Sequence, residues 1–192
     1  MMFIYLDLKM LFIRLDLKML FIRIVDSRKK HQVIGSNMNK LDTHEGGCLC
    51  GGVRYKTEGN PEYVGLCHCR YCQLRTGSAM GISVYFENNL VSINTGETSI
   101  KLHEFQTESG GNFVIQFCSN CGTSLFWRLT ARPGLVGVGG GTFDPPTFWY
   151  EVEREVFCRS KADFIHTDIK DKFVSAPTYQ PIKDEAVHLK GG

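Results

Sequence analysis

The chain has 192 residues, 43% hydrophobic and 22% charged, with a formal net charge of +2. That composition excludes a disordered chain and supplies a globular core. No basic stripe marks a nucleic-acid module, no apolar run approaches the roughly 18–20 residues of a membrane span, and 8 cysteines in 192 residues fall below the density of a small secreted disulfide scaffold.

The chain opens on a repeat. Leu6–Arg14 reads LDLKMLFIR, and Leu15–Arg23 repeats it without change. At about 100° per residue, a nine-residue step turns a helix by about 900°, half a turn out of phase. An odd step also flips the face of a strand. The repeat therefore keeps no single apolar face in either structure. Asp7, Asp16 and Asp26 interrupt it, whereas transit peptides are poor in acids and signal peptides need an unbroken apolar stretch. Residues 1–42 read as an N-terminal extension, a tandem duplication or translated upstream sequence with Met38 as a candidate true start, and residues 1–37 are expected to be dispensable. The competing reading is a membrane-surface helix. Residues 1–37 carry +4 and the rest −2, and Arg28-Lys29-Lys30 reads as a solvated linker.

From Thr43 onward short β-branched or aromatic runs alternate with Gly, Asn, Ser and Pro. Strands are predicted at Val53–Tyr55, Ala79–Phe86, Leu90–Asn94, Ser99–Phe105, Asn112–Phe117, Ser124–Leu129, Leu135–Val138 and Glu151–Cys158. Arg70–Gly77 is long enough for one or two helical turns, Asp144-Pro145-Pro146 is a turn, and Gly191-Gly192 a frayed tail. The fold class is mainly β, a single domain stapled by metal.

Seven of the eight cysteines fall into three clusters: Cys48-x-Cys50, Cys67-x-Cys69-x-x-Cys72 and Cys118-x-x-Cys121. These spacings are poor for disulfides between their own members and good for a soft metal, which points to a reducing, cytoplasmic compartment. Zn²⁺ favours four thiolates in a tetrahedron. Four plus three gives one closed structural site and one with an open position, the arrangement catalysis needs. In Gly46-Gly47-Cys48-Leu49-Cys50, the two thiols share a face of an extended chain while Leu49 points away. Cys118-Ser119-Asn120-Cys121-Gly122 is a knuckle with a glycine for the positive-φ turn. Spacing leaves two partitions open. Cys67, Cys69 and Cys72 can share one ion, or Cys69 and Cys72 can join Cys118 and Cys121 as a zinc ribbon.

Gly47-Cys48-Leu49-Cys50-Gly51, Cys67-His68-Cys69-x-x-Cys72-x-x-x-Thr76-Gly77 and Phe117-Cys118-x-x-Cys121-Gly122-Thr123 resemble the successive signatures of the glutathione-dependent formaldehyde-activating enzyme family, which also includes centromere protein V. Gly141-Thr142-Phe143-Asp144 resembles a later turn of that family, so the likeness runs from about Thr43 to Ile165. The resemblance implies a β-tent domain over residues 43–185 and two Zn²⁺ per chain. It assigns Cys48, Cys50, Cys118 and Cys121 to a structural site and Cys67, Cys69 and Cys72 to a catalytic one. Phe164 stands where the family usually has Trp, a departure that touches the substrate pocket and not the metal sites.

The function the resemblance implies is a carbon–sulfur lyase that condenses formaldehyde with glutathione to S-(hydroxymethyl)glutathione, or acts on a related thiol adduct. Its partners would be glutathione and a small aldehyde, with no nucleic acid and no membrane. The alternative is a non-catalytic zinc module, a glutathione carrier or a protein-binding domain like centromere protein V. Arg70 and Arg75 flank the three-cysteine cluster and are candidate glutathione-binding residues, since zinc with three thiolates carries net −1 and a guanidinium can offset it or grip a carboxylate. His68 reads as a packed or hydrogen-bonded histidine, and Cys158 as a small buried hydrophobe. Gly139-Gly140-Gly141 lacks the lysine and helix of a phosphate loop and reads as a turn.

Overall fold

A computed structural model describes residues 42–190. The repeat, the basic run at 28–30, the Met38 start and the 191–192 tail lie outside the described residues. β1 (Thr43–Gly47), β2 (Arg54–Glu58) and β5 (Val91–Thr95) form a three-stranded antiparallel sheet. β3 (Tyr63–Cys67), β4 (Gly81–Glu87), β6 (Ile100–Gln106), β7 (Asn112–Cys118), β8 (Ser124–Leu129), β9 (Leu135–Gly139), β10 (Arg154–Val156) and β11 (Asp171–Lys172) form an eight-stranded one. Its order is β11-β10-β3-β4-β9-β8-β7-β6, antiparallel except where β10 pairs with β3 and β11. A single α-helix among the described residues, α1 (Arg70–Thr76), follows β3 and ends at Gly77, whose φ of 62° a glycine supplies without strain. The fold is mainly β.

Alternation along the large sheet sorts its side chains onto two faces with different tasks. Val84 and Phe86 of β4, with Phe126 of β8, pack against Val53 and Tyr55 beside the small sheet and against Phe143. All but Phe126 and Phe143 are fully buried, and those two nearly so. Tyr55 fixes this core to the segment after β9, because its hydroxyl and that of Thr142 stand 2.8 Å apart. Arg54 and Asp144 form an ion pair alongside.

Tyr85 and Trp127, one residue along from Val84 and Phe126, face the other way and join Phe113 in a second aromatic cluster. Trp127 Nε1 donates to Tyr85 Oη at 3.0 Å, which satisfies the indole where it is buried. Gly137 of β9 makes room for it, since a Cβ there would stand 2.1 Å from Trp127 Nε1. This second face, with Tyr63 and Tyr71 packed against it, becomes the floor of the cavity described below.

The predicted strands from β4 to β9 are present, and the predicted Glu151–Cys158 strand contracts to Arg154–Val156. β1, β3 and β11 are strands the sequence reading did not mark. β1 and β3 contain Gly46, Gly47 and Gly65, residues that weaken a strand pattern. A Cβ at Gly46 or Gly65 would stand within 2.4 Å of a tyrosine side chain, so close packing and not turning explains both glycines.

Candidate metal centres and the cavity beside one of them

Cys48 and Cys50 sit in the turn between β1 and β2, while Cys118 ends β7 and Cys121 lies in the turn that leads to β8. Both turns are closed by backbone bonds: Gly51 N–H to Cys48 O at 2.9 Å, and Gly122 N–H to Cys118 O at 2.8 Å. Gly122 takes φ 73°, as the knuckle requires. Thr123 locks one turn to the other, because its Oγ1 accepts the Leu49 N–H at 3.1 Å and lies 3.2 Å from Cys121 Sγ. The four sulfur atoms all lie within 4.8 Å of one another.

This set fits a tetrahedral ion. Four sulfurs at about 2.3 Å from Zn²⁺ stand about 3.8 Å apart, and the Cys48–Cys50 and Cys50–Cys118 sulfur pairs are separated by 3.4 and 3.8 Å. All four thiols are free. Hydrogen bonds from Thr123 pull the Cys121 thiol down to about 5. The backbone amides of Cys121 and Asn120 pull Cys118 the same way, but burial and the neighbouring thiols outweigh them and push it up to about 11. Leu49 is 88% exposed and points away from the ligands.

Cys67 ends β3, Cys69 is the N-cap of α1, and Cys72 lies in its first turn. Their sulfurs also lie within 4.8 Å, and no fourth His, Cys, Asp or Glu joins them among the described residues. The structure therefore groups four cysteines and three, and does not bring Cys69 and Cys72 to Cys118 and Cys121 as a ribbon would. Hydrogen bonds from the Cys67 and Cys69 thiols push Cys72 well below the ordinary thiol range, and the Arg75 charge adds to them. The same contacts, with burial, push Cys67 up.

The loop carrying these thiols is tied down from several sides. Gln73 Nε2 donates to the carbonyls of His68 and Ser160 at 3.1 and 3.2 Å. His68 is fully buried, as expected of a packed histidine, and its Nε2 donates to Glu155 Oε1 at 2.7 Å. Lys161 Nζ lies 2.7 Å from the same oxygen, and Thr167 Oγ1 donates to Glu155 Oε2 at 2.5 Å. Burial works against the Glu155 charge, but hydrogen bonds from Lys161, Thr167 and His68 overcome it and hold the carboxyl at about 2. Cys158 is half-buried beside this network, with its Sγ 3.7 Å from the Glu155 carbonyl oxygen.

The two flanking arginines part company. Arg75 and Cys72 are three residues apart on one helical face, and Arg75 Nη2 stands 3.9 Å from Cys72 Sγ with its guanidinium carbon 3.7 Å above the Trp127 ring. Arg70 lies about 140° around the helix from Arg75. Its Nε donates to the His188 carbonyl at 3.2 Å, and it does not border the cavity that Arg75 lines.

That cavity measures about 540 Å³ and contains all three of Cys67, Cys69 and Cys72 in its wall. Tyr63, Tyr85 and Trp127 from the second face of the large sheet line it as well. Sequence reasoning missed three charged residues there. Glu108, 5% exposed, follows β6 and accepts a hydrogen bond from Tyr71 Oη at 2.5 Å. Arg132 places its guanidinium carbon 4.2 Å from the Tyr63 ring centre and 4.8 Å from that of Tyr85, and Arg154 lies 5.7 Å from Tyr63. Phe164, by contrast, is 74% exposed and is not part of this wall. A thiol triad with Cys72 buried and Cys67 and Cys69 half-buried, lacking a fourth ligand among the described residues and bordering a cavity able to admit a small molecule, can hold a soft metal with one position left open.

Residues 43–160 match the family model described as glutathione-dependent formaldehyde-activating enzyme. Among solved structures, a Rhodobacter sphaeroides protein from a structural-genomics programme is 21% identical. The match covers 56% of this chain and 96% of that one, with a TM-score of 0.42. No helix among the described residues is long and apolar enough to cross a membrane.

Proposed function

The chain belongs to the glutathione-dependent formaldehyde-activating enzyme family, and from that premise we propose that it is a zinc-dependent carbon–sulfur lyase joining formaldehyde to glutathione or handling a related thiol adduct. One observation carries the reading: three clustered thiols lacking a fourth protein ligand open onto a cavity of about 540 Å³. Cys48, Cys50, Cys118 and Cys121 would hold a structural zinc, and Cys67, Cys69 and Cys72 a second with one position free for a substrate sulfur. Bound there, zinc would lower the pKa of the glutathione thiol and keep it as thiolate at neutral pH.

The chain's own residues do the rest. Arg75 sets a positive charge beside Cys72 and offsets the surplus negative charge of three thiolates. The aromatic floor of Tyr63, Tyr85 and Trp127 limits water around the reacting sulfur. The thiolate adds to the formaldehyde carbon, forming the C–S bond, and the former carbonyl oxygen takes up a proton. Sulfur entry is tested with Co²⁺ in place of zinc. Glutathione is expected to change the visible ligand-field spectrum, whereas S-methylglutathione is not. Identical spectra with both would show that the thiol does not reach the metal.

A further inference from the structure

Glu108 lies almost wholly buried in the wall of the same cavity. One carboxylate oxygen accepts the Tyr71 hydroxyl proton. Among the described residues, no Lys, Arg or His stands within ion-pair distance of this carboxylate. A carboxylate held out of water without a cation is costly, and buried charges are ordinarily paired, so a cationic ligand group would find its counter-charge here. Elsewhere on the wall, Arg132 and Arg154 have the converse property. Arg132, half-buried, places its guanidinium 4.2 Å over the ring of Tyr63, and Arg154, exposed at the rim of the cavity, approaches the same ring at 5.7 Å. Neither has an acidic partner among the described residues. The cavity thus offers one unmatched negative charge and two unmatched positive ones, beside three thiols.

We propose that Glu108, Arg132 and Arg154 are specificity-determining residues that select a zwitterionic, amino-acid-type thiol, Glu108 receiving its ammonium group and the two arginines a carboxylate. This rests on the function proposed above, in which a substrate sulfur meets the Cys67, Cys69 and Cys72 centre. The division of labour explains why the cavity carries opposite charges that are not paired with each other. It also makes the choice of thiol depend on groups several bonds away from the sulfur, which is how a reaction on so small an aldehyde can be confined to one kind of thiol.

The test is calorimetric binding to the full-length, zinc-loaded protein. The probes are glutathione, S-methylglutathione, N-acetylglutathione (no ammonium) and 2-aminoethanethiol (no carboxylate). Glutathione is expected to bind the unaltered protein about tenfold or more tightly than N-acetylglutathione, the worth of one charge-assisted hydrogen bond. Glu108→Gln should abolish that preference by weakening glutathione and S-methylglutathione while leaving N-acetylglutathione unmoved. Arg132→Gln and Arg154→Gln should weaken the three peptides and spare 2-aminoethanethiol. Tyr71→Phe separates the roles: if Glu108 serves only to hold Tyr71, both variants will weaken every probe alike, and the proposal is overturned. It is overturned too if the unaltered protein does not distinguish glutathione from N-acetylglutathione, an outcome that needs no variant to fold. Binding of glutathione with no dependence on these three residues sinks this proposal alone. Failure of every probe to bind removes the proposed function as well.

Discussion

Replacing one cysteine in each proposed metal centre should produce two different proteins. Cys121→Ser removes a ligand from the centre that clasps the β1–β2 turn to the β7–β8 turn, across 68 residues of sequence between Cys50 and Cys118. Two of its partners, Cys48 and Cys118, are buried, so the remaining thiolates would keep their desolvation cost without the ion that offsets it. Structural zinc contributes on the order of 10 kcal/mol in small metal-dependent domains, against a net stability of about 5–15 kcal/mol for a typical domain. Its loss should leave the protein insoluble or molten. Cys69→Ser touches a centre whose ligands all lie between residues 67 and 72. The strand before it is held independently, β3 pairing with both β4 and β10. That variant should stay soluble with native circular dichroism, keep about one zinc per chain and lose any activity. Circular dichroism, solubility and elemental analysis of the two variants decide the matter. A folded Cys121→Ser protein beside an unfolded Cys69→Ser protein would refute the assignment of structural and catalytic centres.

Three further outcomes are expected. Glu155→Gln leaves Lys161 and His68 facing a neutral buried group and should lower stability by about 3–5 kcal/mol, read as a fall in denaturation midpoint; since Glu155 is held at about 2, below its ordinary 4.5, its contribution in the unaltered protein is full above about 4.5 and is lost as pH falls toward 2. Gly137→Ala must displace Trp127 and should cost about 1–3 kcal/mol, with a change in near-ultraviolet dichroism; an unchanged spectrum and midpoint would mean that the indole is not seated against β9. Arg75→Met should weaken zinc at the three-cysteine centre about 10–100-fold in chelator competition while the four-cysteine centre keeps its metal, and equal loss from both would contradict the contact with Cys72.

The three cysteine clusters were legible because each is written in a short spacing, whereas which cluster joins which depends on the pairing of distant turns. Cys118-x-x-Cys121-Gly and Cys67-x-Cys69-x-x-Cys72 each fit within one turn, so local geometry alone brings their sulfurs together. Alternation likewise marked the strands from β4 to β9, where two faces with different burial enforce period two. β3 escaped because Gly65 interrupts it for the sake of the Tyr63 ring, a packing reason invisible along the chain. The charged residues of the cavity escaped for a related reason. Glu108 carries no motif in the sequence, and its burial depends on contacts that form only in the fold, Tyr71 of α1 among them. Arg70 and Arg75 looked equivalent because both flank the cysteines in sequence. The 3.6-residue period of α1 separates them, and it can be applied only once the helix and the ligand face of Cys72 are known.

Free formaldehyde, followed in a glutathione solution with and without zinc-replete protein, measures the proposed activity most directly. The loss of formaldehyde should exceed the spontaneous rate in proportion to protein, and Cys69→Ser should return it to that rate. A folded protein with zinc at both centres that leaves the spontaneous rate unchanged at every concentration would contradict the assignment as a formaldehyde–glutathione lyase.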